Sequence, residues 1–222
     1  MKYLSKTKLT ALLLLMVLGL QAQEDDSNYI TFNDRRNIVH GIYLGLALGY
    51  GEVEGKGTSL GQLKLAYVAN QEFEAGLAIN VLYSEQDVFN PRTETTDDLF
   101  AAYAGLHFEH ILFGQSRVNL SFPLFVGAGV AGYVDRELVR NDEDIELENE
   151  DVDPIFVVEP GVNALFNISR YVQLEAGIRY RFSSKINLED SPIDRINGFG
   201  GVVGIKVGVF NLGRNRYKKQ LD

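Results

Sequence analysis

From residue 155 to residue 182 the chain reads IFVVEPGVNALFNISRYVQLEAGIRYRF, and its polarity changes at nearly every second residue. One parity holds Phe156, Val158, Val162, Ala164 and Phe166, then Val172, Leu174, Ala176, Ile178, Tyr180 and Phe182. The other holds Glu159, Gly161 and Asn163, then Gln173, Glu175, Gly177, Arg179 and Arg181. A helix would mix these sets on its surface, whereas an extended strand keeps them on opposite faces. The stretch therefore predicts two strands joined by a turn at residues 167–170. One face is oily along its whole length, and the other carries carboxylates, guanidinium groups and glycines. That is the pattern of an outer-membrane barrel wall, with lipid outside and a polar interior.

The same alternation recurs along the chain. It predicts strands at residues 39–50, 60–69, 72–83, 99–109, 118–133 and 199–209 besides the two above. Eight is the smallest number usual for membrane barrels. The expected fold is all-β: an eight-stranded antiparallel transmembrane up-and-down barrel over residues 39–210. A water-soluble barrel would turn its bulky apolar residues inward and its charges outward. The first strand argues otherwise, because Ile42, Leu44, Leu46, Leu48 and Tyr50 oppose Gly41, Tyr43, Gly45, Ala47 and Gly49. Small residues make a poor solvated exterior and a good lining for a narrow interior. Connections after the second, fourth and sixth strands are short, and those after the odd-numbered strands are expected to be longer and polar. Short periplasmic turns and long outer loops follow, with both termini in the periplasm.

Residues 1–22 are set apart from this fold. Lys2, Lys6 and Lys8 precede an apolar run too short to span a bilayer, and small Ala22 follows, as in a cleaved secretory signal. Residues 23–38 form a polar lead-in, and residues 211–222 a basic periplasmic tail. The formal net charge is −9, and loss of the three signal lysines makes the exported chain more acidic still. An acidic chain lacks the basic footprint that phosphate contacts need, which excludes nucleic acid as a partner. With no Cys there is no disulfide framework, thiolate metal site or lipid anchor. The expected partners are outer-membrane lipid and the barrel-insertion machinery, which reads an aromatic near the C-terminus, here Phe210. The chain is expected to be a monomer without a cofactor or bound metal.

Two runs carry a family resemblance: FVVEPGVNALFNISRYVQLEAGIRYRFSS, and YAGLHFEHILFGQSRVNLSFPLFVGAGVAGY before it. Its most specific piece is the Val-Glu-Pro-Gly-Val-Asn core at residues 158–163. With these the chain resembles a family of small outer-membrane barrels of the Bacteroidetes. The resemblance runs from the first strand to Phe210, outside the loops. It implies an outer-membrane location and eight strands, and brings no catalytic residues with it. The departure is the first hairpin, where relatives are richer in glycine.

The inward charges expected are Lys64, Glu74, Glu109, Glu159, Glu175, Arg179, Arg181 and Lys206, with His107 and Asn163 among them. Isolated charges in so narrow a space would be costly, so opposite signs should interleave as a structural plug. A three-residue loop at 168–170 would set Glu159 opposite Arg179 and Asn163 opposite Glu175, predicting a Glu159–Arg179 contact with Arg181 on the diagonal. An ion or proton path through this interior is the alternative. Ser121, His107 and Glu109 also share the inward parity, and a serine beside a carboxylate-oriented histidine is the minimum for nucleophilic catalysis. A lipid hydrolase or acyltransferase is therefore a second alternative, although these residues lie inside the periplasmic end, without an oxyanion-hole signature. The run DRELVRNDEDIELENEDVD holds ten carboxylates. Asp142, Asp144, Glu146, Glu148 and Glu150 alternate along it, which suits a solvated outer loop or a weak surface for a divalent cation or cationic partner. The leading function is a non-enzymatic envelope or surface-interaction role.

Overall fold

Strands with one oily and one polar face cannot stop as an open sheet in hydrocarbon, because each free edge would leave backbone groups unpaired. In the computed structural model, which describes residues 39–90, 95–114, 116–136, 152–187 and 191–212, the sheet closes. Its strands are β1 (His40–Val53), β2 (Lys56–Ala69), β3 (Phe73–Asn90), β4 (Thr95–Leu112), β5 (Val118–Asp135), β6 (Val152–Asn167), β7 (Val172–Ser183) and β8 (Gly198–Leu212). Each pairs antiparallel with the next, and β8 returns to β1 through pairs from His40–Leu212 to Gly51–Gly200. Among the described residues no helix is long and apolar enough to cross a membrane. The predicted signal segment (residues 1–22), lead-in (23–38) and most of the basic tail lie outside the described residues, as do Asp142, Asp144, Glu146, Glu148 and Glu150.

The outer face is hydrocarbon. On β1, Ile42, Leu44, Leu46, Leu48 and Tyr50 are each more than half exposed. That run is ~27 Å long at ~3.4 Å per residue, or ~20 Å high at a tilt of ~40°. Aromatics mark both edges of the band. Toward the chain termini stand Tyr67, Phe73, Phe108, Phe122 and Phe166, with Phe73 stacked on Phe108. At the far edge Tyr180 meets Phe182 and Phe199 edge-on, both at 4.6 Å between centroids, alongside Tyr50, Tyr83, Phe100 and Phe156. Two aromatic girdles around an apolar belt are the signature of a barrel that crosses a bilayer.

Several strands run farther than the alternation indicates. The connection after β1 is a correction: it is not a long loop but a two-residue turn, Glu54-Gly55, with φ of 48° and 77°. Positive φ at both central residues matches the twist of paired strands, so the hairpin continues past the bilayer and closes tightly. The β3–β4 hairpin likewise extends to Asn90 and Thr95, across an irregularity between Ser84 and Val88.

The register of the β6–β7 hairpin is a second correction. Gly161 faces Arg179, Asn163 faces Gly177 and Leu165 faces Glu175, two residues away from the predicted pairing. The cause lies in the turn. Ile168 N donates to Val172 O at 3.1 Å, so the three-residue loop starts one residue later than predicted, at Ser169. The Ser169 hydroxyl accepts from the backbone N–H groups of Tyr171 and Val172, drawing Tyr171 into the loop. A slip of two keeps every side chain on its predicted face while changing its partner.

Candidate functional site: the barrel interior

All ten residues predicted for the interior network are buried inside the barrel, none more than 8 % exposed. They form two groups. The lower one, toward the chain termini, is built around Lys206 of β8. Its Nζ donates to Glu74 Oε2 at 2.9 Å and Glu109 Oε2 at 2.8 Å, stands 3.9 Å from Glu175 Oε2, and lies over the Tyr43 ring. Lys64 Nζ donates to both oxygens of Glu175, at 2.8 and 2.7 Å. Tyr43 donates to Glu74 at 2.5 Å, and Ser121 and Asn163 donate to Glu109 Oε1 at 2.5 and 3.3 Å. Such contacts offset the large cost of removing ammonium and carboxylate groups from water, and removal of one partner exposes that cost. Backbone sites without side chains make the space: a Cβ on Gly204 would lie 2.8 Å from Glu175 Oε1. Glu74, His107 and Glu109 each bring a ligand atom within 4.8 Å of the others, but the Lys206 ammonium already bridges the two carboxylates.

The upper group holds Arg179, Arg181 and Glu159. The predicted Glu159–Arg179 contact is replaced by an approach of Arg181 Nη1 to Glu159 Oε1 at 3.8 Å, as the shifted register requires. Tyr103 donates to the same carboxylate oxygen at 2.6 Å. Arg179 Nη1 instead donates to Gln62 Oε1 at 2.8 Å, and Gln62 Nε2 to Asn80 Oδ1 at 2.7 Å. Tyr103, Gln62, Asn80 and Tyr43 are members of the network that charge alone did not single out. Their inward parity was visible, but polar neutral side chains on an inward face do not announce a partner.

Above both groups the interior turns apolar. Val53, Leu82, Leu99, Ala101, Ile155 and Val157 pack with Ile186, Ile193 and Ile196 from the connection between β7 and β8. That connection is pinned in the mouth: Ser183 N donates to Asn197 Oδ1 at 2.7 Å, Ile196 N to Ser183 Oγ at 2.9 Å and Arg181 Nε to Ile196 O at 2.7 Å. Nothing in the alternation predicts an aliphatic stopper at this end, because its isoleucines sit in a segment without that pattern. At the other end Phe210 points inward and stacks on Tyr43 at 5.6 Å.

The serine, histidine and carboxylate do not assemble as a triad. Ser121 pairs with Ile111, four residues beyond His107 and so ~13 Å along the strand, and its hydroxyl donates to Glu109, not to the imidazole. His107 Nε2 lies 3.3 Å from the other oxygen of Glu109. The carboxylate sits between the two groups, where nucleophilic catalysis needs the histidine.

A second charged group stands on the rim opposite the chain termini. Arg136 donates to Asp98 Oδ2 and Oδ1 at 2.8 and 2.7 Å and to Asp87 Oδ1 at 2.6 Å, while Lys56 donates to Asp87 Oδ2 at 3.1 Å. The hydrogen bond from Arg136, followed by that from Lys56, lowers the Asp87 pKa below its ordinary 3.8. This chain of ion pairs ties the extensions of β2, β3 and β4 to the end of β5.

No protein-family model matches the sequence, and no curated protein matches it. Solved structures do match. The barrel is similar to Neisserial surface protein A. The TM-score is 0.51 at 14% identity, over 76% of this chain and 96% of that one. Ail, the attachment invasion locus protein of Yersinia pestis, solved with the heparin analogue sucrose octasulfate, covers 77% of this chain and 98% of its own at 15% identity and a TM-score of 0.43. The N-terminal β-barrel domain of Pseudomonas aeruginosa OprF covers 76% and 96% at 11% identity and a TM-score of 0.40. At these identities the likeness is one of fold: a small, closed, eight-stranded barrel of the outer-membrane type.

Proposed function

We propose that this protein is an exported outer-membrane barrel with a non-enzymatic envelope or surface-interaction role, presenting its loops outside and both termini to the periplasm. The observation that carries this reading is the pairing of a girdled hydrocarbon exterior with a bore filled by side chains. Such a molecule is an anchor and a display platform. On this reading residues 1–22 are a cleaved signal, and the chain belongs with the small barrels of the Bacteroidetes. On the same reading the acidic run between β5 and β6 is a weak surface for a divalent cation or a cationic partner, and calcium should then raise its protection from protease.

Two rivals carry less. A channel needs a continuous wet path, whereas two lysines, three glutamates and then an aliphatic stopper stand across this one. A lipid hydrolase or acyltransferase needs Ser121 activated by His107 and open to lipid, whereas both are buried and apart. The protein should be found in outer-membrane fractions and migrate differently on gels with and without boiling. In planar bilayers the purified barrel should give no discrete conductance, and His107→Ala should leave envelope lipid turnover unchanged. Steady single-channel steps would favour the channel; lost lipid turnover in the variant would favour the enzyme.

A further inference from the structure

The hydrogen-bonding groups left over inside the barrel are sorted by sign. In the lower group the side-chain atoms without a partner are acceptors: Glu74 Oε1, Asn163 Oδ1 and Gln173 Oε1. In the upper group they are all donors: Asn80 Nδ2, Arg179 Nε, Arg179 Nη2 and Arg181 Nη2. The three side chains that carry these donors are more than nine-tenths buried, at 4 %, 8 % and 3 % exposure. They line a common cavity of about 20 Å³, together with Gln62, Tyr103 and Glu159. That is room for one water or a slightly larger species.

Charge points the same way. Two guanidinium groups face this cavity and one carboxylate answers them, already engaged by Tyr103 and approached by Arg181. A buried lysine could shed its proton to relieve the imbalance, but a guanidinium cannot. The balancing carboxylate lies in the lower group, three glutamates to two lysines, but all three already accept from lysine ammonium groups there. A single water would accept from only some of the four donors and would leave the excess charge in place. A small spherical anion can accept from several of them at once and sets a negative charge beside the two guanidinium groups.

We propose that this cavity is a binding site for one small monovalent anion of the halide class, held by Arg179, Arg181 and Asn80. The anion would be a structural part of the interior, completing the upper half of the plug. The site is independent of what the loops recognise, so its test does not touch the surface role.

The full chain, refolded from urea into detergent micelles in sodium bromide and crystallised in the same salt, tests this directly. Bromide should give an anomalous peak within hydrogen-bond distance of Arg179, Arg181 and Asn80. Thermal unfolding of the wild-type barrel, followed on gels, should shift upward in chloride or bromide relative to gluconate at equal ionic strength, as expected for a ligand bound only by the folded state. Arg179→Gln removes the excess charge and should abolish both the peak and the halide-dependent shift. Should that variant fail to fold, the wild-type peak and salt comparison still decide. A cavity occupied by water alone in bromide crystals, or an unfolding midpoint equal in halide and gluconate, would overturn the proposal.

Discussion

Lys206 is the residue on which the lower interior turns. Its ammonium touches two carboxylates and approaches a third; Glu74 otherwise accepts only from the neutral Tyr43 hydroxyl, and its second oxygen has no partner. Replacement by Met keeps the volume and strands those charges, so Lys206→Met is expected to cost about 3–5 kcal/mol of folding stability. Urea titrations in lipid vesicles would measure it, and adding Glu74→Gln should restore part of the loss. A variant as stable as wild type would mean that the interior is wet enough to solvate its carboxylates. On the rim, Asp87 gives a pH signature with a definite sign. Its native pKa is lowered, by the Arg136 hydrogen bond first, so its contribution is complete above the ordinary value of 3.8 and lost as pH falls through the lower native value. The carboxyl carbon shift of Asp87 should titrate below 3.8 in wild type and return toward it in Arg136→Gln; an ordinary midpoint in wild type would remove the rim ion pair from the account.

At the scale of strands and turns, the first hairpin is closed by a two-residue turn with positive φ at both positions. A Cβ on Gly55 would meet nothing within 4 Å, yet its φ of 77° is one that side chains oppose. Gly55→Ala should therefore destabilise by about 1 kcal/mol without any clash, and Glu54→Asn should be neutral or slightly stabilising, since Asn-Gly suits this turn best. Equal unfolding midpoints for Gly55→Ala and wild type would contradict the turn geometry. This hairpin also shows where the sequence is legible and where it is not. Alternation identifies which face each residue of β1 and β2 takes, because period two follows from the strand itself. It does not say where the strand ends, since Gly51 to Lys56 is polar but for Val53 whether it forms loop or paired strand outside the membrane. In the same way the β6–β7 faces were readable while the partners were not. A one-residue displacement of the loop, set by the Ser169 hydroxyl, moved Glu159 from Arg179 to Arg181.

Taken whole, the barrel has three interior layers: a lysine–glutamate cluster, an arginine-lined cavity and an aliphatic stopper. The first was open to reading because charges on a two-period inward face have few alternatives. The third was not, because Ile186, Ile193 and Ile196 enter the mouth from an irregular connection that only tertiary contacts position. The exterior binds these layers to one physical claim, that bulky hydrocarbon side chains face acyl chains and not water. Leu46 stands at the centre of the outward run of β1 and is 52% exposed. The decisive measurement is the folding free energy of Leu46→Arg against wild type in phospholipid bilayers. A loss of about 2–4 kcal/mol is expected, the penalty for arginine at a bilayer midplane. A change within about 0.5 kcal/mol, as for an ordinary exposed site in water, would contradict it.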